Sequence, residues 1–307
     1  MYEVAVITGP TAVGKSAVAL AVAQMLNAEI VNADSVQVYR GLDIGSAKPS
    51  PAERLLVPHH LLDIADPRDN YTVADYQRDA ARVITEIAGR GRLPLLVGGT
   101  GLYLRAVIRG FAFTESGFDP DLRQRLYAEA EACGSGVLHA RLAAVDPETA
   151  AKLHPNDTRR IVRALEVYLQ SGRPISEQVR QTPKEPVYRA AQFCLTRPRH
   201  ILYRRIEERV DKMLAAGFVT EVEGLLAAGV PPEAKSMQSL GYKQIVSYLQ
   251  GKVTLAEAAE MIKQETRRFA KRQLTWFRRE KDLHWIDLAD NGKILAVAEK
   301  ITSYLAG

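Results

Sequence analysis

Short apolar runs alternate with longer amphipathic stretches in the first third of the chain. The runs Val4–Ile7, Glu29–Asn32 and Leu95–Val97 have the length and composition of buried strands, and Ala17–Leu26 and Val73–Ala88 have the spacing of helices. Alternation of this kind is typical of βαβ units, whose parallel sheet binds ligands at the carboxyl ends of its strands. We therefore predict an α/β fold with a mainly parallel sheet flanked by helices.

The pattern changes in the middle of the chain, where strand-like runs disappear. Helical stretches such as "DPDLRQRLYAEAEA" and "DTRRIVRALEVYLQSG" follow one another between Pro and Gly breaks. The run "YRAAQFCLTRP" again has the composition of a strand, and the remainder is mainly helical. We predict an inserted all-helical domain over residues 117–186 within a phosphate-loop core over residues 1–116 and 187–307.

The first predicted strand leads into a phosphate-loop motif, G-x-x-x-x-G-K-[ST]. Its fixed positions are Gly9, Gly14, Lys15 and Ser16. Backbone N–H groups and a helix N-terminus form an anion site in such loops, while the Lys adds a full charge and the Ser hydroxyl reaches Mg²⁺. A glycine-rich turn without ligand is the alternative. The motif predicts bound phosphate, but it does not say whether that phosphate belongs to ATP.

The second strand ends beside this loop, in "VNADSVQVYRGLDIGSAKP". A carboxylate at this place, Asp34, is suited to act as a general base on an acceptor. The alternative is an Asp that caps a turn. Ser35, Gln37 and Tyr39 follow closely, and they either bind a nucleobase or line a loop.

The third strand leads into a second glycine-rich junction, "VGGTGLY", before the helix that begins at Leu102–Val107. Its backbone N–H groups and the Thr100 hydroxyl suit another phosphate oxygen. The alternative is a tight crossover turn whose glycines allow close packing. This strand does not end in the acid that an ATPase often has, although Asp34 or Asp63 could replace it.

Charge is concentrated near the carboxyl end. The chain has a net charge of +5, and residues 263–281 contain eight Lys or Arg against two Glu. Phe269, Trp276 and Phe277 are interleaved with the basic residues, as in surfaces that bind nucleic acid. The alternative is a solvated basic helix packed by its aromatic residues. Arg159 and Arg163, one helical turn apart, indicate a second basic face in the insert, and together the two faces suggest one polyanionic partner.

The composition excludes several other classes. The two cysteines lie far apart outside any zinc-binding spacing, which favours a reducing compartment. No apolar run approaches a membrane span, and the first residues lack a signal-peptide pattern. We expect a cytoplasmic protein without membrane attachment. The adjacent His59 and His60 are interpreted as packing or hydrogen-bonding residues.

Taken together, these motifs resemble those of the tRNA dimethylallyltransferases, also called tRNA isopentenyltransferases. The resemblance rests, in order along the chain, on "GPTAVGKS", "NADSVQVYRGLDIGSAKP", "PHHLLDI", "VGGTGLY", "DTRRIVRALEVY", "SLGYKQI" and "TRRFAKRQLTWFRRE". It implies transfer of a dimethylallyl group from dimethylallyl diphosphate to the exocyclic N6 amine of the adenine 3′-adjacent to the anticodon, with Mg²⁺. Because no zinc-finger sequence follows the core, the bacterial form is expected.

The resemblance also implies a role for each matching residue. Asp34 would accept or orient the amine proton, and Thr100 would contact the bridging oxygen of the leaving group; both would be catalytic. Diphosphate would be bound by Gly9, Thr11, Ala12, Val13, Gly14, Lys15, Ser16 and Arg209, with Ser16 also reaching Mg²⁺. The tRNA anticodon stem-loop would be contacted by Asp34, Ser35, Val36, Gln37, Thr100, Arg123, Arg159, Arg160, Ile161, Val162, Arg163, Arg268, Lys271 and Arg272.

Two other functions compete with this interpretation. A small-molecule or nucleoside kinase shares the phosphate loop and an early acid, and would use Asp34 on a substrate hydroxyl. An RNA-binding protein with a nucleotide switch would explain both basic faces but not the placement of Asp34 and Thr100. A single core with one insert favours a monomer.

Overall fold

The structure is a computed structural model that describes residues 3–113, 119–288 and 294–306. The chain divides into two compact units, Met1–Ile108 with Tyr188–Gly307, and Arg109–Val187. The predicted boundary between residues 116 and 117 lies outside the described residues, and the first segment of the first unit ends before it, within a helix. The second boundary lies between Val187 and Tyr188, one residue from the predicted position.

The first unit is built on one parallel sheet, which confirms the predicted fold class. Its six strands within the described residues are β1 Val4–Thr8, β2 Glu29–Asn32, β3 His59–His60, β4 Pro94–Val97, β5 Ala190–Thr196 and β6 Leu283–Asp287. They are arranged in the order β3-β2-β4-β1-β5-β6, with every neighbouring pair parallel. The sequence pattern did not predict the edge strands β3 and β6, because β3 has two residues and β6 buries only Ile286.

Fourteen helices are present in the described residues. They are α1 Lys15–Leu26, α2 Pro51–Leu56, α3 Val73–Gly89, α4 Gly101–Arg109, α5 Pro120–Cys133, α6 Ser135–Val145, α7 Pro147–Ala150, α8 Thr158–Ser171, α9 Ile175–Gln181, α10 Arg199–Ala215, α11 Phe218–Ala227, α12 Tyr242–Leu249, α13 Leu255–Phe277 and α14 Ile294–Ala306. Local sequence explains several helix starts: Thr72 with Asp75 and Thr254 with Glu257 form capping boxes at α3 and α13.

Both faces of the sheet are buried, as expected for parallel strands. Alternate residues of β1 point to opposite sides: Ala5 and Ile7 join a core with α1, α10, α13 and α14, whereas Val4 and Val6 join a core with α3 and α4. A third core lies under α11 and α12, where Leu42 packs with the buried helical residues. This third core supports the loop that follows β2.

The second unit consists of helices α5 to α9 among its described residues, with no strand in that part. Its core is formed by α5, α6 and α8, through residues such as Leu126, Leu142 and Leu165. Asp157 caps the start of α8 by accepting from the backbone N–H of Arg160, and Gly172 ends the helix with a φ of 69°. Within the described residues of both units, the helices are too short or too polar to span a bilayer.

Candidate active site

A cavity of about 910 Å³ lies at the carboxyl ends of β1, β2 and β4. Parallel sheets bind ligands at this edge, because the connecting loops and helix N-termini meet there. Its wall combines the phosphate loop, the loop after β2, helix α2 and one side of α10. The predicted site residues in this wall are Thr11, Ala12, Gly14, Lys15, Ser16, Asp34, Gln37 and Arg209.

The phosphate loop requires its glycines for two different reasons. A Cβ at Gly9 would lie 2.4 Å from the Leu195 carbonyl oxygen of β5, so no side chain fits there. Gly14 has a φ of 114° and begins helix α1, a conformation that side-chain-bearing residues rarely adopt. The motif therefore has the strand–loop–helix context that a phosphate site needs.

Two other predicted site residues point their side chains into the protein. Val13 is fully buried in the core that contains α1, and its backbone N–H donates to the Pro10 carbonyl oxygen at 3.4 Å. Val36, within the loop after β2, is half-buried and packs against the third core. Both side chains therefore support the site by packing.

Lys15 folds back over the phosphate loop. Its Nζ donates hydrogen bonds of 3.0 Å to the carbonyl oxygens of both Gly9 and Pro10. Burial lowers the pKa of Lys15 to about 8, against a raising effect of the Asp34 charge, and the Arg209 charge lowers it further. The structure thus places the predicted lysine, arginine and carboxylate at one cavity.

Arg209 reaches the cavity from α10. Its guanidinium donates to the Ser46 carbonyl oxygen at 3.3 Å. Burial lowers the pKa of Arg209, and the nearby Asp34 carboxylate raises it. Because α10 is distant from the phosphate loop in sequence, only the fold brings this guanidinium to the loop.

Asp34 has features of both roles that the sequence left open. Its Oδ1 accepts a hydrogen bond of 2.9 Å from the Val36 backbone N–H, which is a turn-capping contact. The same residue lines the cavity. Asn32 supports the turn, since its Oδ1 accepts from the Asp34 N–H and its Nδ2 donates to the Asp34 and Leu61 carbonyl oxygens. The carboxylate is therefore fixed at the cavity edge.

Thr100 contacts the turn that carries Asp34. The Thr100 Oγ1 accepts from the Ser35 backbone N–H at 3.1 Å and lies 3.4 Å from the Ser35 Oγ. The hydroxyl thus joins the second glycine-rich junction to this turn. Two predicted site residues, Thr100 and Ser35, are brought together in this way.

The glycines of the second junction allow close packing, as the alternative interpretation predicted. A Cβ at Gly98 would lie 2.1 Å from the Ala33 carbonyl oxygen. At Gly99 it would lie 2.3 Å from the Gln273 Nε2, and at Gly101 it would lie 2.3 Å from the Trp276 Nε1. Any side chain at these positions would push α13 or the end of β2 away from the site.

Gln273 on α13 is a site residue that was not predicted from the sequence. Its Oε1 accepts from the Thr11 backbone N–H at 2.9 Å, and its Nε2 donates to the Gly99 carbonyl oxygen at 2.9 Å. One buried amide therefore links the phosphate loop to the second glycine-rich junction. The sequence contains no signal for this role, because the run around Gln273 was interpreted from its charged residues and Gln273 is uncharged.

Glu221 on α11 was also missed. Its carboxylate accepts from three successive backbone N–H groups, those of Asp43, Ile44 and Gly45, at 3.0, 2.6 and 3.1 Å. The Tyr242 hydroxyl donates to it at 2.7 Å. These contacts hold the loop after β2, whose Ser46 and Ala47 carbonyl oxygens accept from the Gln37 side chain, each at 3.1 Å.

Lys48 and Asp63 form a charged part of the cavity wall. The Lys48 Nζ lies 2.6 Å from an Asp63 oxygen and donates to the Tyr39 carbonyl oxygen at 2.8 Å. Arg54 binds the other Asp63 oxygen at 2.8 Å. Although burial opposes ionisation, these two cations lower the pKa of Asp63. Asp63 is thus an ion-pair partner of both cations at the cavity wall.

The basic face of α13 differs from its prediction in its aromatic residues. Phe277 is buried, and Trp276 packs beneath the Arg105 guanidinium, 4.6 Å from the ring centre. These two rings therefore pack the protein rather than stack on bases. Arg272 lies over the partly exposed Phe269, with 5.8 Å between the guanidinium carbon and the ring centre.

The predicted RNA contacts on α13 are otherwise at its surface. Arg268 is exposed and forms an ion pair of 2.6 Å with Glu265. Lys271 and Arg272 are also exposed. Ion pairs at a surface contribute little to stability, so these cations can exchange their partners for phosphates at low cost.

Helix α8 requires a correction. Ile161 and Val162 were predicted to contact tRNA, but both side chains are buried in the core of the second unit. They lie on the apolar face of an amphipathic helix, whereas Arg159 and Arg160 lie on its exposed face. The prediction treated a run of consecutive residues as one surface, which a helix does not allow.

Arg123 and Arg163 share a buried acidic partner. Glu166 has no exposed side-chain surface, and its Oε2 lies 2.6 Å from Arg123 and 2.8 Å from Arg163. The two guanidinium groups remain partly exposed. A buried carboxylate that pairs with two arginines restricts their orientations, so both predicted contacts are held at one place on the second unit.

His59 and His60 make the hydrogen bonds predicted for them. The His59 Nδ1 lies 2.7 Å from the Val57 carbonyl oxygen, and the His60 Nε2 lies 2.6 Å from Glu29. Glu29 is buried and also contacts Arg90 and Arg92. The pair therefore stabilises the edge of the sheet.

The family model described as IPP transferase matches residues 37–280, and the model described as isopentenyl transferase matches residues 2–60. The chain belongs to the IPP transferase family. This confirms the resemblance drawn from the sequence motifs.

Curated relatives match almost the whole chain. A protein of Pelotomaculum thermopropionicum named tRNA dimethylallyltransferase is 49% identical over 98% of this chain and 96% of its own length. One of Symbiobacterium thermophilum with the same name is 56% identical over 92% of this chain and 88% of its own length.

Solved structures agree with these relatives. The tRNA isopentenylpyrophosphate transferase of Bacillus halodurans aligns with a TM-score of 0.74 at 42% identity, over 100% of this chain and 97% of that one. A eukaryotic dimethylallyltransferase described as acting on tRNA aligns with a TM-score of 0.82 at 28% identity, over 99% of this chain and 79% of that one.

Proposed function

We propose that this chain is a tRNA dimethylallyltransferase. It transfers a dimethylallyl group from dimethylallyl diphosphate to the exocyclic N6 amine of the adenine 3′-adjacent to the anticodon. The observation that carries the proposal is the identity of about half of all residues, along almost the full chain, with proteins of that name. Membership of a transferase family does not favour the kinase or the nucleotide switch.

The phosphate loop is proposed to bind the diphosphate of the donor. Lys15 and Arg209 bring two positive charges to the cavity, and the loop and the α1 N-terminus supply backbone N–H groups. Diphosphate leaves as a highly charged anion, so cations fixed around it stabilise the charge that develops in the transition state. Thr100 is proposed to contact the oxygen that bridges to the leaving group.

The residues present fit a bound Mg²⁺. Ser16 lies at the cavity and offers a hydroxyl oxygen, and Asp34 lines the same cavity with carboxylate oxygens. Among the described residues, no group of three His, Cys, Asp or Glu forms a metal cluster. Mg²⁺ commonly takes its remaining ligands from substrate phosphates and water. When bound, the ion would neutralise charge on the diphosphate.

Asp34 is proposed to accept or orient the proton of the adenine amine. A neutral aromatic amine is a poor nucleophile, and a carboxylate within hydrogen-bond reach improves it as the proton departs. The capping contact to Val36 and the support from Asn32 hold the Asp34 side chain in place for this task. To reach Asp34, the adenine must leave the base stack of the anticodon loop, which costs a few kcal/mol.

The tRNA is proposed to contact exposed cations on each unit. Arg159, Arg160 and Arg163 provide them on α8, and Arg268, Lys271 and Arg272 provide them on α13. Phosphate contacts of this kind give affinity without reading sequence. Ser35, Gln37 and Arg123 are proposed as further tRNA contacts. We also propose that the protein acts in the cytoplasm and as a monomer.

Transfer of label tests the proposal. Unmodified tRNA is incubated with Mg²⁺ and either labelled dimethylallyl diphosphate or labelled ATP, and we expect label on tRNA only from the prenyl donor. Asp34→Ala should lower the single-turnover rate by about 10²- to 10⁴-fold while tRNA affinity changes little, because one carboxylate acts on one proton. Phosphate transfer from ATP to a small molecule would instead support the kinase.

A further inference from the structure

Cationic side chains bind four carbonyl oxygens of the phosphate loop. The Lys15 Nζ binds those of Gly9 and Pro10. The Arg205 Nε donates to the Ala12 carbonyl oxygen at 2.9 Å, and the Arg197 Nε donates to the Val13 carbonyl oxygen at 2.7 Å. Neither arginine belongs to the loop motif, and both come from the part of the chain after the second unit.

One of these contacts is made at a residue with an unfavourable backbone conformation. Ala12 has a φ of 62°, in the left-handed region that an alanine seldom adopts. A left-handed alanine is disfavoured because its Cβ approaches the following carbonyl oxygen. A conformation of this kind persists only when surrounding contacts hold it. The hydrogen bond from Arg205 is made to the carbonyl of this same residue.

The direction of the Val13–Gly14 peptide links Arg197 to the anion site. In a planar trans peptide, the C=O and the following N–H point in opposite directions. Arg197 also donates to the Leu288 carbonyl oxygen, so it is anchored away from the loop. When it binds the Val13 carbonyl, the Gly14 N–H of the same peptide is turned the other way, and Gly14 lines the cavity.

We propose that Arg205 is a positioning residue, which holds Ala12 in the left-handed conformation that the phosphate loop needs to bind diphosphate. Arg197 acts in the same way on the next peptide. The inference rests on the proposed function, since it concerns the donor site of that reaction. Arg205 also lines the cavity, so direct contact with the donor is the competing role that the experiment must separate.

A double-mutant cycle with Ala12 separates the two roles. Calorimetry with inorganic diphosphate and Mg²⁺ measures the Kd of four proteins. They are the parent chain, Arg205→Met, Ala12→Gly and the double variant. Glycine adopts a positive φ readily, so it removes most of the need for Arg205. We expect affinity to fall by about tenfold or more with Ala12, typical of a charge-assisted hydrogen bond. In the Ala12→Gly background, the loss of diphosphate affinity caused by Arg205→Met should be at least about fivefold smaller.

Arg204→Met is the matched control, because it removes the same charge from an exposed position of the same helix. The KM for dimethylallyl diphosphate should rise in Arg205→Met, while the Tm and the Kd for tRNA match those of Arg204→Met. A merely structural role would move the Tm as well. If Arg205→Met does not fold, Arg205→Gln enters the same cycle.

Three results would overturn the inference. Equal reductions in the two Ala12 backgrounds would mean that Arg205 contacts the donor directly. A reduction no larger than that of Arg204→Met would mean that only net charge matters. If the parent chain transfers the prenyl group but does not bind diphosphate, the phosphate loop is not the donor site. If it does neither, the proposed function is overturned as well.

Discussion

Helices α8 and α13 have similar basic patterns in sequence but different surroundings in the structure. Both carry arginines one turn apart on an exposed face. The buried face of α13 contains Gln273, which contacts both glycine-rich loops of the cavity. The buried face of α8 instead packs Ile161 and Val162 into the core of the second unit. A basic exposed face therefore does not reveal what the opposite face of a helix does.

The difference also affects how each helix can act in the reaction. A change in α13 reaches the phosphate loop, the proposed donor site, through one buried amide, whereas the buried side of α8 packs within its own unit. Variants on the two helices should therefore separate donor effects from tRNA effects.

Among the tests that compare the two helices, the largest expected effect comes from Gln273→Ala. It removes the partners of the Thr11 N–H and the Gly99 carbonyl oxygen, and an unpaired buried polar group costs about 1–3 kcal/mol. We expect kcat/KM for the donor to fall by about ten- to a hundredfold in steady-state assays. Thr275→Val, at an exposed position of the same helix, is the control. A normal donor KM and kcat would show that α13 does not support the donor site.

A pH series gives the next largest effect. The Lys15 pKa of about 8 should rise when diphosphate binds, so the charged lysine contributes fully below pH 8. Above pH 8, Lys15 must take up a proton when diphosphate binds, and the Kd for diphosphate should increase by up to about tenfold per pH unit. Calorimetry with inorganic diphosphate, corrected for its own ionisation, measures this. Lys15→Met should bind weakly without the break near pH 8, and a break that persists would assign it to another group.

Salt dependence compares the exposed faces directly. Replacing Arg159 and Arg163 by Gln, or Arg268 and Arg272 by Gln, should flatten the salt dependence of tRNA binding. The slope of log K against log salt should change by about 0.7 to 0.9 for each phosphate that the variant no longer binds. Donor KM should stay the same for the α8 pair. An unchanged slope for that pair alone would mean that only α13 binds RNA.

The smallest expected effect comes from Glu166→Gln. It removes the buried charge that pairs with Arg123 and Arg163, but both guanidinium groups are partly exposed and remain hydrated. We expect a decrease of about 1 kcal/mol in the free energy of unfolding, measured by urea denaturation, and weaker tRNA binding. A changed donor KM would contradict the separation between the two helices.

Much of the site was predictable from local sequence. The phosphate loop, Asp34 and the second glycine-rich junction all follow predicted strands, and parallel strands bring their carboxyl ends to one edge. The short edge strand β3 and the weakly buried β6 were not predicted, because neither has a hydrophobic pattern of sufficient length. Roles that depend on one side chain reaching a distant backbone group were not predictable either.

The α/β class, the phosphate-loop motif and the family could be predicted from the sequence alone, because each depends on periodicity or on motifs read along the chain. The contacts of Gln273, Glu221 and Arg205 at the cavity, and the burial of the Ile161 and Val162 side chains, were evident only from the tertiary structure. Those roles depend on which backbone groups lie within about 3 Å of a side chain once the helices pack. Local patterns carry no information about such distances, because they arise from contacts between residues far apart in the chain.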